Sequence, residues 1–131
     1  MAATRVRPIL VCEDDPSLAS LFGDILEAAG YRAVGTPSGE AALRLAQTLR
    51  PAVILLDLSL PDLDGATVLT RLKGNPTTAD IPVVIVSAYP GWLTFLDRGL
   101  AVAVVEKPCT PAELEAVIEE ALDGRRRRNA T

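Results

Sequence analysis

Four apolar runs in this chain of 131 residues end on groups that can do chemistry. "PILVC" (8–12) runs into Glu13 and Asp14, and "AVILLD" (52–57) stops on Asp57. "IPVVIVS" (81–87) stops on Ser87, and "AVAVVEK" (101–107) on Lys107. If folding gathers them, the three carboxylates repel: a pair about 4 Å apart costs ~4 kcal/mol at an effective dielectric near 20. One of them then protonates, or a cation is held. The chain has no histidine, so a metal would meet mostly oxygen ligands, a donor set that suits a hard ion such as Mg²⁺. Mg²⁺ keeps waters and shares phosphate oxygens, so the implied ligand is a phosphoryl group. Lys107 then offers positive charge to one phosphoryl oxygen and the Ser87 hydroxyl a donor to another. Asp57 stands as a nucleophile whose attack gives an aspartyl phosphate. Charge neutralisation supplies most of the catalysis in such a transfer.

The elements between these runs say how they are positioned. Strand and helix patterns alternate five times. The run 8–12 suits a strand buried on both faces. Asp15-Pro16 supplies a helix cap and an N1 proline, Leu18, Leu21, Phe22, Ile25 and Ala29 follow at helical spacing, and Gly30 is a stop signal. Residues 31–35 read as a weaker strand near an edge. Ser38 to Leu49 is a helix with Ala42, Leu45, Ala46 and Leu49 on one face, ended by Pro51. The run 52–57 is the most apolar and therefore central. Asp64 caps a helix from Gly65 to about Lys73, which Gly74-Asn75-Pro76 breaks. Runs 81–87 and 101–107 are the last two strands, and Pro111 opens a final helix with Leu114, Val117, Ile118, Ala121 and Leu122 in one stripe. Between them, "AYPGWLTFLDRG" (88–99) places Pro90-Gly91 where a fourth helix should begin, which predicts a short, delayed or distorted one.

Repeated strand–helix units imply a parallel sheet with right-handed crossovers and helices on both faces. The predicted fold is α/β, a doubly wound five-stranded sheet in the order 2-1-3-4-5. Ligands of such sheets bind beyond the carboxyl ends of the strands, at the switch point between strands 1 and 3. Glu13, Asp14 and Asp57 belong there.

Composition sets the outer limits. At 49% hydrophobic the chain can bury a core, and its length suits one domain, expected over residues 1–124. No apolar run approaches the ~20 residues of a membrane span, and the N-terminus lacks a signal-peptide layout, so a cytoplasmic location is expected. Cys12 reads as a small core residue and Cys109 as more accessible, without a Cys-x-x-Cys that would suggest redox chemistry. The net charge is −4, and the four arginines at 125–128 leave −8 on residues 1–124. An acidic body disfavours direct DNA binding. Residues 125–131 are expected to be a solvated, unordered basic tail.

With these residues in place, "ILVCEDDPSL", "VILLDLSLPDLDG", "VVIVSA" and "VEKP" together resemble the receiver domain of two-component response regulators, over about residues 6 to 123. The resemblance implies that Asp57 is the phosphoacceptor, charged by a histidine kinase or phosphotransfer protein and slow to lose its phosphoryl group by its own hydrolysis. It makes Glu13, Asp14, Asp57 and the backbone carbonyl of Ser59 the Mg²⁺ ligands. Ser87 takes the switch hydroxyl position and Lys107 that of the phosphate-contacting lysine, with the Lys107-Pro108 bond often cis. Ser59 and Tyr89 fall on the two positions that tune hydrolysis. Where the family commonly has Tyr or Phe, three residues before the lysine, this chain has Val104. The implied function is a stand-alone phosphoacceptor domain of a phosphorelay that switches binding to a downstream partner protein, homodimerisation being allowed.

Other readings compete. A haloacid-dehalogenase-type phosphatase also uses a strand-end Asp and Mg²⁺, but wants a second Asp two residues later, where Ser59 stands. A flavodoxin-like FMN carrier needs a Ser/Thr/Gly-rich loop after strand 1, where "EDDPS" is acidic. The remaining alternative is a phosphorylation-independent binding module, which Val104 and the segment 88–99 do not exclude. Asp15, Asp62 and Asp64 read as cap and exposed loop residues, and Trp92 and Phe95 as partial core under a loop.

Overall fold

The computed structural model describes residues 7–130, with side chains throughout except those of Trp92, Phe95, Leu96, Arg128, Asn129 and Ala130. The described residues form strands β1 (Ile9–Cys12), β2 (Ala33–Thr36), β3 (Val53–Asp57), β4 (Val83–Ser87) and β5 (Ala103–Glu106). Between and after them lie helices α1 (Pro16–Ala28), α2 (Gly39–Leu49), α3 (Gly65–Gly74), α4 (Phe95–Leu100) and α5 (Pro111–Ala130). The strands pair in parallel in the order β2-β1-β3-β4-β5, the doubly wound arrangement that the alternating pattern predicts.

Every residue of β1, β3 and β4 is buried, because helices cover both faces of a parallel sheet. Alternate side chains therefore enter two apolar layers. Leu10, Ile54, Leu56 and Ile85 pack with Ala42 and Ala46 of α2 and Val68, Leu69 and Leu72 of α3. Ile9, Val11, Val53, Leu55, Val84 and Val86 pack with Phe22 and Leu26 of α1 and Leu114 and Ile118 of α5.

The helix ends follow the expected signals. The Asp15 carboxylate accepts from the amides of Ser17 (2.9 Å) and Leu18 (3.3 Å) at the start of α1. Asp64 accepts from Thr67 (2.8 Å) at the start of α3, and Gly30 takes φ +97° after α1, where a Cβ would be disfavoured. The segment after β4 is delayed as Pro90-Gly91 predicts. A 3₁₀ turn spans Pro90–Trp92, and α4 begins only after Thr94, whose hydroxyl caps the Asp97 amide at 3.1 Å. The side chains of Trp92 and Phe95, expected as partial core, lie outside the described residues.

At the basic end, residues 125–130 are helical where the sequence reading expects an unordered tail over 125–131. Helix α5 continues through Ala130. Its Arg125 guanidinium donates to the carbonyls of Pro51 (3.1 Å) and Ala52 (3.0 Å) and faces Asp80 at 3.8 Å. The helix is therefore tied to the chain entering β3 at the point where the arginine run begins. Sequence alone gave no sign of this tether, because its acceptors are backbone carbonyls more than seventy residues away.

Candidate functional site

Strand register brings the acids together. Cys12 of β1 lies opposite Leu56 of β3, so Glu13 and Asp57, the next residue on each chain, leave the sheet side by side. Glu13, Asp14 and Asp57 each offer a carboxylate oxygen, and these oxygens lie within 4.8 Å of one another. Glu13 and Asp57 are buried at 3% and 5% exposure, and Asp14 faces solvent. On the far side, Val86 of β4 lies opposite Asp57 and Glu106 of β5 opposite Ser87. The Lys107 amide carries the ladder one step further, donating to the Ser87 carbonyl at 2.9 Å.

The Lys107 ammonium turns back over this edge. Its Nζ donates to Glu13 Oε1 at 2.7 Å and lies 3.5 Å from Asp57 Oδ1. Three carboxylates against one ammonium leave a surplus of two negative charges, which is the charge of one divalent cation. The donor set is all oxygen, as a hard cation requires. Burial pushes the Glu13 carboxyl above its usual range, the Asp57 charge adds to that, and the hydrogen bonds from Lys107 and the Asp15 amide oppose it. For Lys107, burial works against the charged form. The Glu13 hydrogen bond and the charges of Asp57 and Glu13 outweigh it, so the ammonium is held above its usual range.

Ser87 is buried, and its Oγ accepts from the Tyr89 amide at 2.9 Å. The Ser59 amide donates to Asp57 Oδ1 at 3.3 Å, while the Ser59 and Tyr89 side chains are exposed. The Lys107-Pro108 bond is cis. Val104 is half-buried against the apolar layer that holds Leu93. Glu13, Asp14, Asp57, Ser59, Ser87 and Lys107 therefore sit at one edge of one sheet. Neither cysteine joins them: burial pushes the Cys12 thiol up to about 12, and burial together with the Glu113 charge raises that of Cys109.

Two supporting residues escaped the sequence reading. Gly65 donates its amide to the Leu58 carbonyl at 2.8 Å. A Cβ on Gly65 would stand 2.5 Å from the Asp57 carbonyl oxygen and 2.6 Å from Leu58 Cα, so only glycine lets α3 start against the end of β3. Asp62, read as an exposed loop residue, is exposed but caps a different helix. It accepts from the amides of Glu40 (2.9 Å) and Gly39 (2.8 Å) and from the Ser38 hydroxyl (2.9 Å) at the start of α2. These bonds, the Glu40 amide first, hold its carboxyl well below the usual range. The spacing of Asp64 to its own helix signalled a cap. Nothing local signals a cap to a helix more than twenty residues earlier.

Comparison with known proteins follows the same lines. The family model described as the response regulator receiver domain matches residues 9–119. The polar-differentiation response regulator DivK of Brucella anthropi is 33% identical over 114 residues, spanning 85% of this chain and 93% of its own. A sensor protein from Polaromonas sp. JS666 superimposes with TM-score 0.84 at 34% identity, covering 91% of this chain and 98% of its own. The receiver domain of a sensor histidine kinase from Pseudomonas aeruginosa, solved with magnesium coordinated in its active-site cleft, gives TM-score 0.80 at 25% identity, covering 90% and 98%. Sequence, fold and strand-end chemistry agree: the chain belongs to the response regulator receiver domain family and is a phosphoacceptor signalling domain.

Proposed function

We propose that Asp57 is the phosphoacceptor of a phosphorelay. The observation that carries this reading is the approach of three carboxylate oxygens within 4.8 Å of one another, with the Lys107 ammonium 3.5 Å from Asp57. An Asp57 oxygen attacks the phosphorus of a donor phosphohistidine, the P–N bond breaks, and the electron pair leaves with the donor imidazole. Lys107 stays charged throughout and stabilises negative charge on the phosphoryl oxygens. The Ser87 hydroxyl donates to another of those oxygens. Glu13, Asp14, Asp57 and the Ser59 backbone carbonyl would hold Mg²⁺. Bound there, the ion supplies the positive charge that lets an anionic phosphoryl group approach three carboxylates.

Receiver domains are signalling domains that catalyse their own phosphorylation and interact with histidine kinases and phosphotransfer proteins. We assign this chain the same donors, slow self-catalysed loss of the phosphoryl group, and a partner protein as its output. Among the described residues no helix is long and apolar enough to cross a membrane, which supports a cytoplasmic reading. Residues 1–124 form the proposed functional unit, and the arginine run extends it.

The test is intact-mass measurement after treatment with acetyl phosphate, with and without Mg²⁺. One phosphoryl group should appear only with Mg²⁺, and not in Asp57→Asn. Labelling undiminished in that variant rejects Asp57 as the acceptor.

A further inference from the structure

The strand ends that carry Glu13 and Asp57 push apart, because like charges repel most where water is scarce. Outside the pocket a chain of hydrogen bonds joins the same two strand ends. The Glu13 amide donates to the Thr36 carbonyl at 3.1 Å, and Thr36, at the end of β2, is buried. The Ser38 amide donates to Thr36 Oγ1 at 3.4 Å. The Ser38 hydroxyl donates to Asp62 Oδ2 at 2.9 Å, and the Gly39 and Glu40 amides donate to the same carboxylate. Asp62 sits five residues after Asp57, in the loop that also carries Ser59. Contact is close as well: a Cβ on Gly39 would lie 3.0 Å from both Leu63 Cβ and Val68 Cγ2. Arg71 of α3 faces Glu40 of α2 at 3.6 Å.

We propose that Asp62 is a positioning residue that clamps the loop after β3 to the start of α2 and so keeps the Glu13–Asp14–Asp57 pocket assembled against its own repulsion. The carboxylate suits this role for two reasons. Three donors converge on it, and the amino end of an 11-residue helix favours negative charge. Its removal frees the loop and lets the acids spread, which lowers affinity for a divalent cation without touching any ligand. The inference rests on the pocket being the phosphoryl site proposed above.

The experiment uses the full chain and the variants Asp62→Ala and Asp62→Asn. Mg²⁺ affinity is measured by calorimetry, exchange of the Gly39 and Glu40 amides by NMR, and labelling by acetyl phosphate at low and saturating Mg²⁺. Asp62→Ala should weaken Mg²⁺ binding about tenfold, the lower end of what loss of a supporting contact costs a metal site. The two amides should exchange faster. Labelling should slow at low Mg²⁺ and recover at saturating Mg²⁺, and the urea midpoint without Mg²⁺, read alongside, separates weaker binding from a less stable fold. Asp62→Asn keeps an accepting oxygen and should shift all three in the same direction by less. Faster amide exchange with Mg²⁺ affinity unchanged in both variants overturns the proposal and leaves Asp62 a helix cap alone. If Asp62→Ala does not fold, Asp62→Asn decides on the same measurements. The Mg²⁺ titration involves no labelling, so it stays informative whatever Asp57→Asn shows.

Discussion

The two edges of the sheet handle charge in opposite ways. At the carboxyl edge, Glu13 and Asp57 are buried and share one ammonium at 2.7 and 3.5 Å. At the amino edge, the Asp80 side chain is 61% exposed and is shared by Arg50 at 3.7 Å and Arg125 at 3.8 Å. The first edge has more anions than cations and little water, so each charge acts strongly on its neighbours. The second has more cations than anions, and its shared Asp80 carboxylate faces solvent, where an ion pair contributes only ~0–1 kcal/mol. What fastens the amino edge is cation-to-carbonyl bonding, from Arg125 to Pro51 and Ala52 and from Lys73 to Ala79 and Ile81. Charge at the carboxyl edge serves reactivity, and charge at the amino edge serves attachment.

Substitutions at each edge test that contrast. The largest effect should come from Lys107→Met. Labelling by acetyl phosphate is expected to slow on the order of a hundredfold, as when one group facing developing charge is lost. Mg²⁺ should bind at least as tightly, because a competing cation has left the carboxylates. A parental labelling rate would take Lys107 out of the chemistry and weaken the contrast at its centre. Next comes Gly65→Ala, which sets a methyl group against the backbone of Asp57 and Leu58. It should cost about 2 kcal/mol, typical of overpacking, read as a lower urea midpoint at unchanged slope. At the amino edge, Arg125→Ala should cost about 1 kcal/mol through its lost hydrogen bonds. Asp80→Asn should cost only a few tenths, and that should shrink further in salt. Equal losses at Arg125 and Asp80 would show that the amino edge is held by ion pairs after all.

Much of this architecture is legible in the sequence. Four apolar runs and one weaker edge strand, alternating with helices, specify a parallel sheet, because strands buried on both faces read as continuous hydrophobic stretches. Capping residues mark helix starts within a turn, as at Asp15 and Asp64. Pro90-Gly91 announced the delay of α4, since proline lacks an amide donor and glycine favours the unfolded chain. The site was legible for the same reason: a polar residue ending a buried strand is unusual enough to be noticed, and parallel topology puts all such ends on one edge. Less legible were Asp62, Gly65 and Arg125. Each acts on backbone atoms, and backbone atoms carry no sequence signature.

The sequence by itself determined the alternation of elements, the strand order and the set of reactive side chains, because hydrophobic period and strand-end chemistry are local properties of the chain. Tertiary structure alone decided three things: that Lys107 bonds Glu13 more closely than Asp57, that α5 stays helical through the arginines, and that Asp62 serves α2 rather than its own loop. Those outcomes depend on distances between segments far apart in the chain, and such distances are fixed only when the layers pack.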